Sequence, residues 1–106
     1  MIEISDRNFD EEVAECELPI FACFTTSWCR SCFPTCLVGD DLVNEYNGSV
    51  KFVKLDMEKN PEITQRYHVI VVPTILVFQN SQEVNRFLGF QNKSTLKSFL
   101  DDVTAG

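Results

Sequence analysis

Cys29 and Cys32 stand two residues apart in the segment Trp28-Cys29-Arg30-Ser31-Cys32. At the start of a helix, two thiols at this spacing can close a small disulfide ring at little cost. The position also makes them unequal. Cys29 would have the positive end of the helix dipole and free backbone N–H groups nearby, which favour a thiolate. Cys32, one turn on, would face the interior and ionise less readily. The chemistry implied is thiol–disulfide exchange, with Cys29 attacking a disulfide and Cys32 resolving the mixed disulfide.

Arg30 bears on the same thiolate. A guanidinium about 6 Å from the sulfur contributes roughly 0.7 kcal/mol at water's dielectric and roughly 3 kcal/mol at an effective value of 20. An exposed turn favours the lower figure; a solvated Arg30 with no role is the alternative. Zinc sites also use a Cys-x-x-Cys spacing. Here no second such pair follows, and the only histidine is His68. Cys36 could supply a third thiolate, since 29, 32 and 36 fall along one helical stripe. It reads more simply as a small buried hydrophobe, with a third redox thiol as the other possibility. No metal and no bound cofactor are expected.

The remaining composition narrows the setting. A chain of 106 residues is of single-domain size, so residues 1–106 are expected to form one domain. With 44% apolar residues and nine Phe it can pack a core without metal or disulfide staples. The net charge of −7 argues against nucleic acid, and no polybasic run invites an anionic membrane. Residues 1–6 show no basic, apolar pattern of a signal peptide. The five cysteines (Cys16, Cys23, Cys29, Cys32, Cys36) crowd into the first third. An odd, one-sided cluster fits a reducing compartment rather than a secreted disulfide scaffold. The expected location is the cytoplasm, and the expected state a monomer.

Elements that could hold the pair are legible on either side of it. Ile2 and Ile4 alternate with polar residues as a short strand. Asp6 is placed to cap a helix reaching about Glu15, with Phe9, Val13 and Cys16 on its apolar face. Ile20 to Thr25 is a nearly continuous apolar run, typical of a strand covered on both faces. A helix through Leu37, Leu42, Val43 and Tyr46 follows the cysteines and is expected to end at Asn47-Gly48. Val50 to Asp56 reads as a second buried strand, and Asn60-Pro61 opens a short helix to Tyr67. Thr74–Phe78 and Glu83–Leu88 form a hairpin about Asn80-Ser81. Asn92 or Ser94 caps a last helix carrying Leu96, Phe99, Leu100 and Val103. The order β-α-β-α-β-α-β-β-α predicts an α/β fold: one mixed sheet of about five strands, flanked by helices on both faces. Its reactive site belongs at the turn leaving the carboxyl end of the Ile20–Thr25 strand.

Along nearly its whole length the chain resembles the thioredoxin family. Besides Trp28-Cys29-x-x-Cys32, Val50-Lys51-Phe52-Val53-Lys54-Leu55-Asp56 is similar to the family's central strand. Tyr67-x-Val69-x-x-x-Pro73-Thr74 resembles the segment leading to the proline beside the active site, and Leu88-Gly89 and the last helix fit as well. The resemblance implies the thioredoxin fold, a protein-disulfide reductase activity and an electron donor of the thioredoxin-reductase kind. It also implies that the bond before Pro73 is cis, that Val72 and Pro73 face the cysteines and pair with an extended substrate strand, and that Trp28 flanks the thiolate. Gly89 belongs to the same rim. A cis X-Pro bond occurs in only about 5–6% of cases, so the residues alone do not predict it.

Four departures from that family's pattern stand out. Arg30-Ser31 replace the usual Gly-Pro between the cysteines; a better stabilised thiolate favours the dithiol and implies a less reducing couple. Cys23 replaces the buried acid six residues before the nucleophile, while Lys54, the acid's usual partner, remains. Cys23 is expected mainly to fill space, with proton acceptor or extra redox thiol as alternatives. Phe33 makes the rim beyond Cys32 more apolar. Finally, the helix proline has moved to Pro34, within the first turn, and Leu37 holds its usual place. Competing functions are a disulfide isomerase or oxidase, and a non-catalytic module that grips a strand through the Val72-Pro73 groove.

Overall fold

The computed structural model describes residues 1–46 and 48–105. Strand β2, Ile20–Thr25, runs through the middle of the sheet, and its first five residues are buried. Parallel to it lies β3, Lys51–Asp56; antiparallel on its other side lies β4, Thr74–Gln79. β1, Ile2–Glu3, pairs in parallel with β3, and β5, Gln82–Leu88, pairs antiparallel with β4. The resulting order β1-β3-β2-β4-β5 is the expected mixed sheet of five strands.

Side-chain alternation along these strands divides the core in two. Ile20, Ala22 and Phe24 share one face with Val53, Leu55, Leu76 and Phe78, and pack against Phe9, Val13, Ile63 and Val69. Phe21 and Cys23 share the other face with Phe52, Ile75 and Val77. Helices α1, Cys32–Glu45, and α3, Lys93–Ala105, cover that second face. They contribute Leu42, Leu96 and Leu100, with Tyr46 from the end of α1. Burying both faces of β2 requires an apolar residue at every position, which is why its run is unbroken.

Three local expectations are corrected. Between β1 and β2 the chain forms only a π-helical stretch, Asp10–Ala14, not an α-helix from Asp6 to Glu15. Asp6 caps a different helix: its carboxylate accepts the N–H groups of Glu62 and Ile63 at 3.1 and 3.0 Å. These open α2, Pro61–Arg66, whose Pro61 at the first position lacks an N–H to satisfy. The Asp6 N–H in turn donates to the Asn60 side chain at 2.9 Å. Only the tertiary fold brings Asp6 to that helix. Second, Leu37 is 52% exposed rather than part of the apolar face of α1. Third, α1 ends at Glu45; Gly48 has the left-handed φ of +85° that favours glycine, while Asn47 lies outside the described residues. At the start of α3, Asn92 is the cap, accepting the Thr95 N–H at 2.9 Å.

Candidate active site

The turn from β2 into α1 lies at the carboxyl end of β2, where an open sheet leaves a crevice for a site. Cys29 and Cys32 are joined there by a disulfide with a Cα–Cα separation of 5.4 Å. Regular helix begins at Cys32, so Cys29 precedes the first helical turn rather than belonging to it. Cys29 therefore depends on its immediate neighbours as well as on the helix end. One of these is Ser31, whose Oγ lies 3.5 Å from the Cys29 sulfur. Ser31 makes no side-chain capping bond to α1, which leaves its hydroxyl for the sulfur. The two sulfurs differ in access: Cys32 is 3% exposed and Cys29 half-buried. Arg30 is exposed, and its side chain enters no hydrogen bond or ion pair among the described residues; its carbonyl accepts the Phe33 N–H at 3.3 Å.

The facing wall comes from the segment before β4. Its Val72–Pro73 peptide bond is cis. The buried Thr74 hydroxyl donates to the Val71 carbonyl at 2.7 Å, and the Gly89 N–H donates to the Pro73 carbonyl at 2.8 Å. Gly89 takes φ +77°, a conformation in which a side chain would be strained. It thus anchors the loop from behind. Arg86, on β5, fixes the approach to this loop by donating to the Tyr67 carbonyl at 2.7 Å while paired with Glu83. Together the two sides enclose an open groove of about 570 Å³ lined by Trp28, Cys29, Arg30, Ser31, Met57, Ile70, Val71 and Val72. Pro73 is buried next to Val72.

Trp28 stands 66% exposed at the groove's edge, and its indole N–H donates to the Glu58 carboxylate at 3.1 Å. That bond holds a large apolar face in water, where it is unfavourable until a partner covers it. Ile70 (84%), Phe33 (68%) and Leu37 (52%) add further exposed apolar surface, on the groove and on α1 beyond Cys32. Glu58, Met57, Ile70, Val71 and Arg86 escaped the sequence reading. Nothing local marks them, because each matters only through an element distant in sequence.

Beneath the disulfide, Cys23 and Lys54 are neighbours in the β2–β3 register, on the sheet face that α1 covers. Cys36, on α1, is half-buried, less covered than the small buried hydrophobe expected. The two thiols are pushed in opposite directions. Cys36 is lowered to about 7, first by hydrogen bonding with Cys23, then by the Lys54 charge, against burial and Asp40. Cys23 is pushed well above the ordinary thiol range, first by hydrogen bonding with Cys36 and then by burial. Lys54 has no carboxylate partner among the described ion pairs.

The thioredoxin family model matches residues 1–102. The chain belongs to the thioredoxin family. It is 35% identical to the thioredoxin of Synechocystis sp., over 93% of this chain and 92% of that protein. It is similar at 33% identity to the thioredoxin of Porphyra purpurea, over 93% and 92%. A third relative, the bifunctional thioredoxin reductase/thioredoxin of Mycobacterium leprae, is 31% identical over 96% of this chain but only 22% of its own length. The fold is the thioredoxin fold, and the joined cysteines make this member a thiol–disulfide oxidoreductase.

Proposed function

We propose that the chain, acting as one domain, reduces disulfides in other proteins. The reading rests on the unequal burial of one redox pair. Cys29 opens onto an apolar groove under Trp28, and Cys32 is 3% exposed behind it. An extended strand carrying a disulfide lies along Val71-Val72 with its apolar side chains against Trp28 and Ile70. Cys29, as thiolate, attacks the nearer substrate sulfur; that disulfide breaks and its far sulfur leaves as a thiolate. Cys32 then attacks the Cys29 sulfur of the mixed disulfide. The substrate departs reduced and Cys29–Cys32 is oxidised. A reductase of the thioredoxin-reductase type returns the electrons; the Mycobacterium leprae relative is named as joining the two activities in one chain. No cofactor is needed, since electrons move as thiols.

Arg30 and Ser31 stabilise the Cys29 thiolate, so the couple is less reducing than a Gly-Pro thioredoxin. Five cysteines favour a cytoplasmic setting in which reductants keep Cys16, Cys23 and Cys36 as thiols. The exposed surface around the groove suits a monomer that meets its partners transiently. Insulin reduction with dithiothreitol as electron source tests the assignment. Wild type accelerates precipitation of the insulin B chain, and Cys29→Ser does not. Equal rates for the two proteins overturn it. Cys32→Ser, lacking the resolving thiol, accumulates the mixed disulfide.

A further inference from the structure

The groove wall opposite Cys29 belongs to the segment 67–73, and β5 with the residue after it holds that segment at both ends. At one end the Gly89 N–H donates to the Pro73 carbonyl at 2.8 Å. At the other, Arg86 donates from Nη2 to the Tyr67 carbonyl at 2.7 Å and from Nη1 to the His68 carbonyl at 3.4 Å. Tyr67 and His68 follow directly on α2, and the last carbonyls of a helix have no partner within it. The guanidinium supplies two of those partners. Glu83 grips the same group, accepting from Nε at 2.7 Å and from Nη2 at 2.8 Å. A bidentate pair of this kind fixes the fork in orientation as well as in place.

His68 shows what the clamp holds. Its φ of +53° is left-handed, uncommon for a residue other than glycine, and the chain turns there from α2 into the wall. The imidazole is exposed, while the backbone N–H donates to the Gln65 carbonyl at 3.2 Å. Val69 follows, 3% exposed in the core, with its N–H bonded to the Thr64 carbonyl at 2.9 Å. Ile70 then stands 84% exposed and Val71 41% exposed, both on the groove with Trp28 and Cys29. The conformation at His68 therefore sets where these apolar side chains stand relative to the sulfur. Arg86 does not itself line the groove.

We propose that Arg86, held by Glu83, is a positioning residue for protein substrates: it fixes the corner at Tyr67-His68 and so the wall on which a substrate strand lies. The inference rests on the groove being the place where protein disulfides are reduced. A small disulfide needs only the Cys29 sulfur, which the turn from β2 into α1 supplies. A protein strand needs Ile70, Val71 and Val72 in place as well, and displacement of such contacts by about 1 Å is enough to slow a reaction. Loss of Arg86 therefore separates two classes of substrate. Protein disulfides react more slowly, and small ones do not. A residue that served the fold alone would change neither rate in a protein that remains folded.

The test uses the full chain, reduced with dithiothreitol and freed of it by anaerobic gel filtration. The reduced protein is mixed rapidly with insulin or with hydroxyethyl disulfide, and its oxidation is followed by the fluorescence of Trp28, the one tryptophan of the chain. Arg86→Ala is expected to react several-fold more slowly with insulin and at the wild-type rate with the small disulfide. Glu83→Ala, which leaves the guanidinium in place but untethered, is expected to lose less in the same direction. Adding His68→Gly to Arg86→Ala is expected to recover most of the insulin rate, because glycine holds a left-handed φ without a clamp. No loss with insulin, an equal loss with both disulfides, or a double variant as slow as Arg86→Ala overturns the proposal. Circular dichroism and urea unfolding establish that each variant is folded; if Arg86→Ala is not, Glu83→Ala decides by the same comparison. A wild type no faster with insulin than Cys29→Ser overturns the reductase reading itself. A wild type that reduces insulin, matched by Arg86→Ala, overturns only the positioning role.

Discussion

Ser31→Ala removes one hydroxyl from the active-site turn and should make the protein a stronger reductant. The Ser31 Oγ is 3.5 Å from the Cys29 sulfur and has no capping duty at α1. In the reduced protein it can donate to the Cys29 thiolate. A hydrogen bond to a charged group contributes about 1.5–3 kcal/mol when dry. This one is long and lies at an open groove, so about 1 kcal/mol is the appropriate scale. For a two-electron couple 1.4 kcal/mol corresponds to about 30 mV, which makes the expected effect about 20 mV. The sign follows from which state is stabilised. Losing the donor raises the Cys29 thiol, disfavours the dithiol relative to the disulfide, and moves the potential to more negative values. Arg30→Gly removes a screened charge of roughly 0.7 kcal/mol and acts in the same direction by about 15 mV. Equilibration against a glutathione buffer at pH 7, read by the change in Trp28 fluorescence, measures both. A Ser31→Ala potential equal to or higher than that of its parent would refute the reasoning.

Glu58→Ala frees the indole of Trp28, which is exposed and has no other hydrogen-bond partner among the described residues. Stability should change by less than about 0.5 kcal/mol, as for an exposed polar substitution. The KM for a protein substrate should rise several-fold, while the rate with a small disulfide stays the same. Asp6→Ala leaves two N–H groups at the start of α2 without acceptors and should cost about 1 kcal/mol in urea unfolding; a cost near zero would show that solvent replaces the cap fully. Iodoacetamide should modify Cys36 with a half-maximal rate near pH 7, and Cys23→Ala should shift that midpoint toward the ordinary thiol range. The stability linked to Cys36 has a definite sign. Its thiol is depressed in the folded state, so its contribution is full above the unfolded thiol pKa near 9 and is lost as pH falls through about 7. Reduced wild type should therefore gain on reduced Cys36→Ser in unfolding midpoint between pH 7 and 9.

The parts read correctly from sequence share one property: their cause is local. The unbroken run Ile20–Thr25 requires a strand covered on both faces, and the alternating turn and strand signals after Thr74 require a hairpin. Trp28-Cys29-x-x-Cys32 names its chemistry because the ring closure depends only on a few adjacent residues. Asp6 shows where such reasoning stops. Its position before an apolar periodicity has every mark of a cap on the next segment, yet its carboxylate serves α2, fifty-six and fifty-seven residues away. Leu37 likewise falls within the helix's apolar pattern but faces solvent, because the sheet covers a different arc of α1.

Sequence alone therefore determined the succession of five strands along the chain, the reacting pair and the family to which it belongs; their order within the sheet came from the tertiary structure. The tertiary structure decided what surrounds that pair. The distances from Trp28 to Glu58 and from Cys29 to the Val71-Val72 wall are set by how β3 and the loop before β4 meet the β2 turn. The partnership of Cys23 with Cys36 is of the same kind. One cysteine comes from a strand and the other from a helix, and no spacing rule joins them. Only the packing of α1 over the sheet face that carries Cys23 relates the two.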